Sequence, residues 1–246
     1  MQLTERIHLV ASGAQGFGLT HPSDCHAYLI DGGDAAALID AGAGVEPGPT
    51  LARIAATGVP RERVRHLFVT HAHADHAGGA AALRERLGTE VACSPEVAAI
   101  LRAGDETRAS VDVGKAQGGY APDYVYRATD VDLELQDRQR IRVGEVEIEV
   151  VAAPGHAIGH VVFLVHQPDR TDLFTGDTLL FGGRIILQDT WDCDLLAHLA
   201  TVRRLGELRF EGLFPGHRTV SVSDGERHVR AAIAALDRGA IPPTLL

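Results

Sequence analysis

Within the stretch Val69-Thr70-His71-Ala72-His73-Ala74-Asp75-His76-Ala77-Gly78-Gly79, three imidazoles and one carboxylate fall inside six consecutive residues. The residues between them are alanines, so nothing bulky keeps those groups from converging on a common point. Neighbouring imidazoles and a carboxylate are costly to bury without a cation, and the composition reads as a metal site. In extended backbone, residues two apart project to the same side, so His71 and His73 can grip one ion. Asp75 follows on that side, while His76 turns the other way as a helix begins. One segment can therefore serve two ions.

Ligand-type residues recur where later apolar runs end. Ala153-Pro154-Gly155-His156-Ala157-Ile158-Gly159-His160 follows one run, Gly176-Asp177-Thr178 a second, and Pro215-Gly216-His217 a third. His160 has two readings, a group touching substrate or supporting the site, and a packed histidine. Asp40, at the end of an earlier apolar run and before Ala41-Gly42, is either a turn residue or a carboxylate that orients a ligand histidine from behind. His8, His66, His166, His198 and His228 read as surface or core residues, and His21 and His26 stay ambiguous.

The elements that must position these groups alternate. A first strand is expected over 5–12, then a glycine-rich loop or flap, Ser12 to Asp24. Two strands, His26 to Asp31 and Ala35 to Asp40, are joined by Asp31-Gly32-Gly33-Asp34, a hairpin signal. A Pro/Gly-rich turn, Glu46 to Pro49, precedes a short helix, Thr50 to Thr57. The run Val64 to Val69 reads as a buried strand that delivers the histidine cluster at its C-terminal end, where active-site loops of layered α/β sheets commonly lie. Ala80 to Leu87 continues as a helix closed by Gly88, Glu90 to Cys93 as a short strand, and Ser94-Pro95-Glu96 opens a helix to Leu101.

Residues 103–127 are polar and irregular, with Tyr120, Tyr124 and Tyr126 close together. They read either as a lid or substrate-facing insert or as plain surface packing. Asp130 to Leu135, Arg140 to Val143 and Val146 to Ala152 suggest a run of antiparallel strands, followed by strands at Val161 to Val165, Asp172 to Thr175 and Glu211 to Phe214. Helices are expected over Trp191 to Gly206 and Ser223 to Arg238. Two β-rich halves, each finishing in helices, imply two mixed sheets packed face to face with helices outside, within a single domain over 1–246.

Composition narrows the function classes. The 246 residues carry a formal net charge of -10, and no Lys/Arg-rich run supplies the positive field that nucleic acid requires. No apolar run is long enough to span a bilayer, and the N-terminus lacks the apolar core of a secretory signal. Cys25, Cys93 and Cys193 are an odd, scattered set without a CxxC, which fits a reducing compartment; the expected location is cytoplasmic. The expected partner is a small-molecule substrate, and a homo-oligomer stays open.

Taken in order, HAHADH, PGHAIGH, TGDTLL and FPGH resemble the motifs of the metallo-β-lactamase-fold hydrolases, along essentially the whole chain. The resemblance implies a four-layer αββα sandwich. It also implies one metal held by His71, His73 and His156, a second by Asp75, His76 and His217, and Asp177 bridging both, with a hydroxide between them. Imidazole and carboxylate favour zinc, with iron or manganese as alternatives, and a set without thiolates suits a catalytic site with open positions. The expected enzyme is thus a dinuclear metal-dependent hydrolase that attacks an ester-type carbonyl, with Asp75 orienting the nucleophile and relaying its proton.

TGDTLL and PGH look most like the glyoxalase II-type branch, which implies a thioester. Only a short tail follows His217, however, whereas glutathione-binding members carry an added helical domain. Lactones fit the same site. A zinc β-lactamase-like amide hydrolase is a weaker alternative, because the common enzymes of that kind have cysteine at the position of Asp177. A mononuclear iron persulfide dioxygenase using His71, His156 and Asp177 is the principal rival. A non-catalytic scaffold on the same fold is the remaining one.

Overall fold

Strands that bury both faces need apolar side chains at odd and even positions alike, and most strands of this chain have them. The computed structural model describes residues 1–245. Its first sheet holds β1 (Ile7–Ala11), β2 (Ala27–Asp31), β3 (Ala36–Ile39), β4 (Val64–Phe68), β5 (Glu90–Cys93) and β6 (Leu133–Glu134) in that spatial order. β1 to β3 are antiparallel neighbours, and β3 to β6 run parallel. The second sheet has the order β11 (Gly212–Pro215), β10 (Thr171–Gly176), β9 (Val161–His166), β8 (Val146–Ala152), β7 (Arg140–Val143). Only its β10–β11 pair is parallel.

The period of two sorts the core into layers. Tyr28, Ile30, Phe68, Ile148, Val150, Phe163 and Phe174 point between the sheets and form one cluster. Their chain neighbours Leu29, Leu38, Leu67 and Val69 face the other way and pack against α1 (Pro47–Ala55), α3 (Ala80–Leu87) and α4 (Pro95–Ala103) through Ile54, Leu83 and Ile100. On the far side, Val151, Val162, Leu164 and Leu173 meet α6 (Leu195–Leu205) and α7 (Glu226–Asp237) through Val202, Leu205 and Val229. Helix, sheet, sheet, helix is the order expected from the sequence.

Several boundaries differ, each for a local reason. Pro47 and Pro49 do not form a turn ahead of α1 but occupy its first turn, where a missing N–H costs nothing. Leu133 and Glu134 do not join an antiparallel run; they extend the first sheet parallel to β5. The helix expected from Trp191 begins at Leu195, because the Asp194 carboxylate accepts the Ala197 N–H at 3.0 Å and caps it there. Residues 103–127 contain a short helix, α5 (Val111–Ala116). No helix among the described residues is long and apolar enough to cross a membrane.

Candidate metal centre

The strands β4, β10 and β11 end on the same side as the loop after β8, and each end turns sharply on small residues. Gly216 shows why: a Cβ there would sit 2.5 Å from both Asp177 Oδ1 and His76 Cε1, so only glycine lets β11 close on the site. The loops bring the sequence-predicted residues together. The ligand atoms of His71, His73 and His156 lie within 4.8 Å of one another, as do those of Asp75, His76 and His217, and those of His71, His76 and Asp177.

Individual separations are short. His156 Nε2 faces His73 Nδ1 at 3.1 Å, and His76 Nε2 faces His217 Nε2 at 3.4 Å. Asp75 Oδ2 is 3.1 Å from His217 Nε2 and 3.7 Å from His76 Nε2. Asp177 reaches both groups: Oδ2 lies 3.6 Å from His156 and 3.4 Å from His217, and Oδ1 lies 3.3 Å from His76.

A second layer of partners aims these rings. Asp40, held at a positive φ of 61°, accepts the Thr70 N–H at 2.8 Å and the His76 Nδ1–H at 2.8 Å. The Thr70 hydroxyl donates to the same carboxylate at 2.9 Å and accepts the His71 Nδ1–H at 2.9 Å. His156 Nδ1–H donates to the Ile186 carbonyl at 3.0 Å. Each of these bonds turns Nε2 toward the centre. Of the two readings open for Asp40, the orienting one matches this geometry. Thr70 and the Ile186 carbonyl went unread in the sequence: a threonine beside a histidine carries no distinctive signal, and a carbonyl carries none.

The electrostatics divide the site. Burial pushes His71 well below the ordinary imidazole range and His156 down to about 4, so both are neutral bases. Burial acts in the same direction on His76 and His217. There the surrounding acidic groups outweigh it, raising His76 well above its usual value and His217 to about 9. For His217 those groups are Asp177 and Asp75. Burial opposes the charge on Asp75 and Asp177 as well, yet the adjacent histidines hold both below the usual carboxylate range.

Other residues fall outside this constellation. His160, expected from the sequence as a catalytic group, lies packed behind the ligand-type histidines. It is 1% exposed, stacked on His71 with ring centroids 4.6 Å apart, and its Nε2 accepts the Asp177 N–H at 3.3 Å. His26 is buried beneath Phe17 and bonds the Arg218 carbonyl at 2.8 Å, while His21 Nδ1 accepts the Ser23 N–H. His198 is a core residue bonded to the Thr178 carbonyl. Burial raises the Cys25 and Cys93 thiols to about 12, consistent with small buried hydrophobes.

A cavity of about 490 Å³ opens over His73, Asp75 and His217. Its walls include Gln15 from the flap, Tyr120 from the 103–127 insert, and Gln188. Ser23 Oγ donates to the Gly119 carbonyl at 2.9 Å, joining flap to insert. Both readings of the insert apply in part. Tyr124 and Tyr126 are packing residues whose hydroxyls donate to the Ala43 and Ala72 carbonyls at 2.8 and 2.9 Å, whereas Tyr120 lines the cavity. A larger cavity of about 930 Å³, beside Ile158, Trp191 and Leu196, is lined by no histidine.

Comparison with known proteins follows this geometry. A hydroxyacylglutathione hydrolase of Cereibacter sphaeroides is 33% identical over 165 residues, 65% of this chain and 50% of that protein. One of Thermosynechococcus vestitus is 31% identical over 172 residues, 70% of this chain and 55% of that protein. The chain spans about half the length of the curated relatives it matches. Among solved structures, a metallo-beta-lactamase family protein from Thermus thermophilus superposes with a TM-score of 0.72 at 22% identity, covering 96% of this chain and 81% of that one. A subclass B3 metallo-beta-lactamase of Bradyrhizobium japonicum gives a TM-score of 0.68 at 19% identity, covering 87% and 86%. At such identities these two show the fold alone.

The model of the metallo-beta-lactamase superfamily matches residues 21–217, a span that takes in the histidine cluster and ends on His217 itself. Sequence match and backbone thus agree over every strand end that carries the site, and the chain belongs to the metallo-beta-lactamase superfamily.

Proposed function

We propose that this protein is a dinuclear metal-dependent hydrolase of an ester-type carbonyl, a thioester or a lactone, with residues 1–246 acting as one catalytic domain. The observation that carries the reading is a set of buried polar atoms with nothing else to bond. His71 Nε2 and Asp177 Oδ1 are buried without a hydrogen-bond partner. His156 Nε2 faces His73 Nδ1 at 3.1 Å, and His76 Nε2 faces His217 Nε2 at 3.4 Å. Imidazole nitrogens at such distances repel, lone pair against lone pair or, where His76 and His217 keep their protons, charge against charge, and a cation bound between them removes the cost.

His71, His73 and His156 would hold one ion, Asp75, His76 and His217 the other, with Asp177 shared. Two divalent ions so held supply Lewis acidity and a hydroxide at neutral pH. The remaining work belongs to the chain. Asp75, ionised and open to the cavity, is placed to orient the nucleophilic water through its carboxylate and to take up a proton at that group. The flap and the insert close the cavity on two sides and limit competing water. His160 acts from behind, as the stacking partner of His71.

Relatives named hydroxyacylglutathione hydrolases support an acyl carbonyl as the reacting group. The complete Asp75, His76 and His217 group favours two ions over the single iron of a persulfide dioxygenase. The test is metal content of the purified protein combined with turnover of thioesters, lactones, β-lactams and persulfides. Two zinc or manganese ions per chain with ester-type turnover is the expected result; one iron with oxygen uptake would overturn it.

A further inference from the structure

We propose that Asp192 is a positioning residue, a carboxylate that decides which nitrogen of His73 is free to hold a cation while also anchoring the loop that carries His156. This rests on the dinuclear reading above. His71, His76 and His156 each have a partner on the ring nitrogen turned away from the centre: Thr70, Asp40 and the Ile186 carbonyl. His73 differs. Its Nδ1 faces His156 Nε2 at 3.1 Å, so the nitrogen turned away is Nε2, buried and without a hydrogen-bond partner.

The group facing that nitrogen is Asp192. Its Oδ1 lies 3.6 Å from His73 Nε2 and is also buried and unpartnered. The side chain is only 2% exposed. Two orphaned buried atoms, one able to donate and one able only to accept, meet across a gap that a small rotation of either side chain closes. With the proton on Nε2 directed at the carboxylate, the Nδ1 lone pair points to the centre. The opposite tautomer would put a proton between His73 and His156 and block the site.

The second carboxylate oxygen has a separate task. Asp192 Oδ2 accepts the Ile158 N–H at 3.2 Å, two residues beyond His156, and the Asp194 N–H donates to the Gly155 carbonyl at 2.7 Å, one residue before it. The turn from Trp191 to Asp194 is thus tied to the chain on both sides of His156. Helix capping does not account for Asp192, since Asp194 performs that role. One carboxylate thereby couples ligands delivered by β4 and by the loop after β8.

The experiment compares zinc affinity, measured by competition with a chelator, in the wild-type full chain, Asp192→Asn and Asp194→Ala. It also uses nitrogen NMR of labelled histidine in the zinc-loaded wild type to find the protonated nitrogen of His73. Expected are an Nε2 proton on His73 and a loss of roughly 10–100-fold in zinc affinity for Asp192→Asn, the range for outer partners of ligand histidines. Asp194→Ala, which removes only the cap, should hold zinc as the wild type does. A His73 proton on Nδ1, or an Asp192→Asn protein that binds zinc as tightly as the wild type, overturns the assignment and leaves the dinuclear reading intact. A wild type that binds no divalent cation overturns that reading and this one with it.

Discussion

The two halves of the proposed centre are built from similar residues but prepared in opposite ways. The half formed by His71, His73 and His156 is all imidazole, and burial keeps His71 and His156 neutral. The half formed by Asp75, His76 and His217 is a mixed cluster in which acidic neighbours raise both imidazoles above their usual range, His217 to about 9. The difference lies in what burial is set against. At His71 and His156 desolvation prevails, even with Asp177 3.6 Å from His156, whereas at His76 and His217 the acidic neighbours outweigh it: Cys25, Asp177 and Asp75 for the first, Asp177 and Asp75 for the second. His71 and His156 are therefore ready acceptors, whereas His76 and His217 must exchange protons for a cation. Asp75, the proposed proton carrier, belongs to the half that faces the cavity.

The contrast can be broken most sharply at the residue shared by both halves. Asp177→Ala should abolish retention of both ions and lower hydrolysis by more than the roughly 100-fold that bounds loss of an outer partner. Metal content and turnover read together check this, and a variant that keeps two ions would refute the shared role. Asp40→Asn should weaken the second half by about 10–100-fold, because Asp40 aims His76, with a smaller effect on the first half through Thr70. Equal weakening of both would show that the halves are not separately supported.

A pH series sharpens the same point. His217 holds its proton to about pH 9, so a cation entering the second half must displace it, and apparent affinity there should climb with pH up to about 9. His156 loses its proton near pH 4, so binding at the first half should release no proton from His156 above that value. Calorimetric titration in buffers of different ionisation enthalpy counts the protons released; identical counts for the two binding steps would contradict the contrast. The smallest effect expected is that of Tyr126→Phe, which removes the hydroxyl bonded to Ala72 between His71 and His73. It should cost about 1 kcal/mol in denaturant unfolding.

Much of the fold was legible because its physical signals are local. The alternation around Tyr28-Leu29-Ile30 and the glycine at Gly88, which has a φ of 76°, carry their structural meaning within a few residues. Signals with two local meanings were harder. Trp191 to Asp194 reads as the start of a helix until Asp194 is seen to cap it and Asp192 to face His73. Two carboxylates before an apolar helix, where one suffices as a cap, were the available hint. Leu133 and Glu134 look like one more antiparallel strand because parallel and antiparallel pairing place the same demand on side chains.

His71, His73, Asp75, His76, His156, Asp177 and His217 could be named from residue type, spacing and position at the ends of apolar runs, because a cation's requirements restrict ligand chemistry to a few side chains. The opposite shifts of His71 and His156 on one side and His76 and His217 on the other could not. A pKa depends on desolvation and on charges a few ångströms away, and those neighbours come from distant parts of the chain: Asp40 reaches His76, and Asp177 reaches both His156 and His217. The packing of His160 against His71 and the placing of Asp192 behind His73 were decided in the same way, by which surfaces the two sheets and their loops bring into contact.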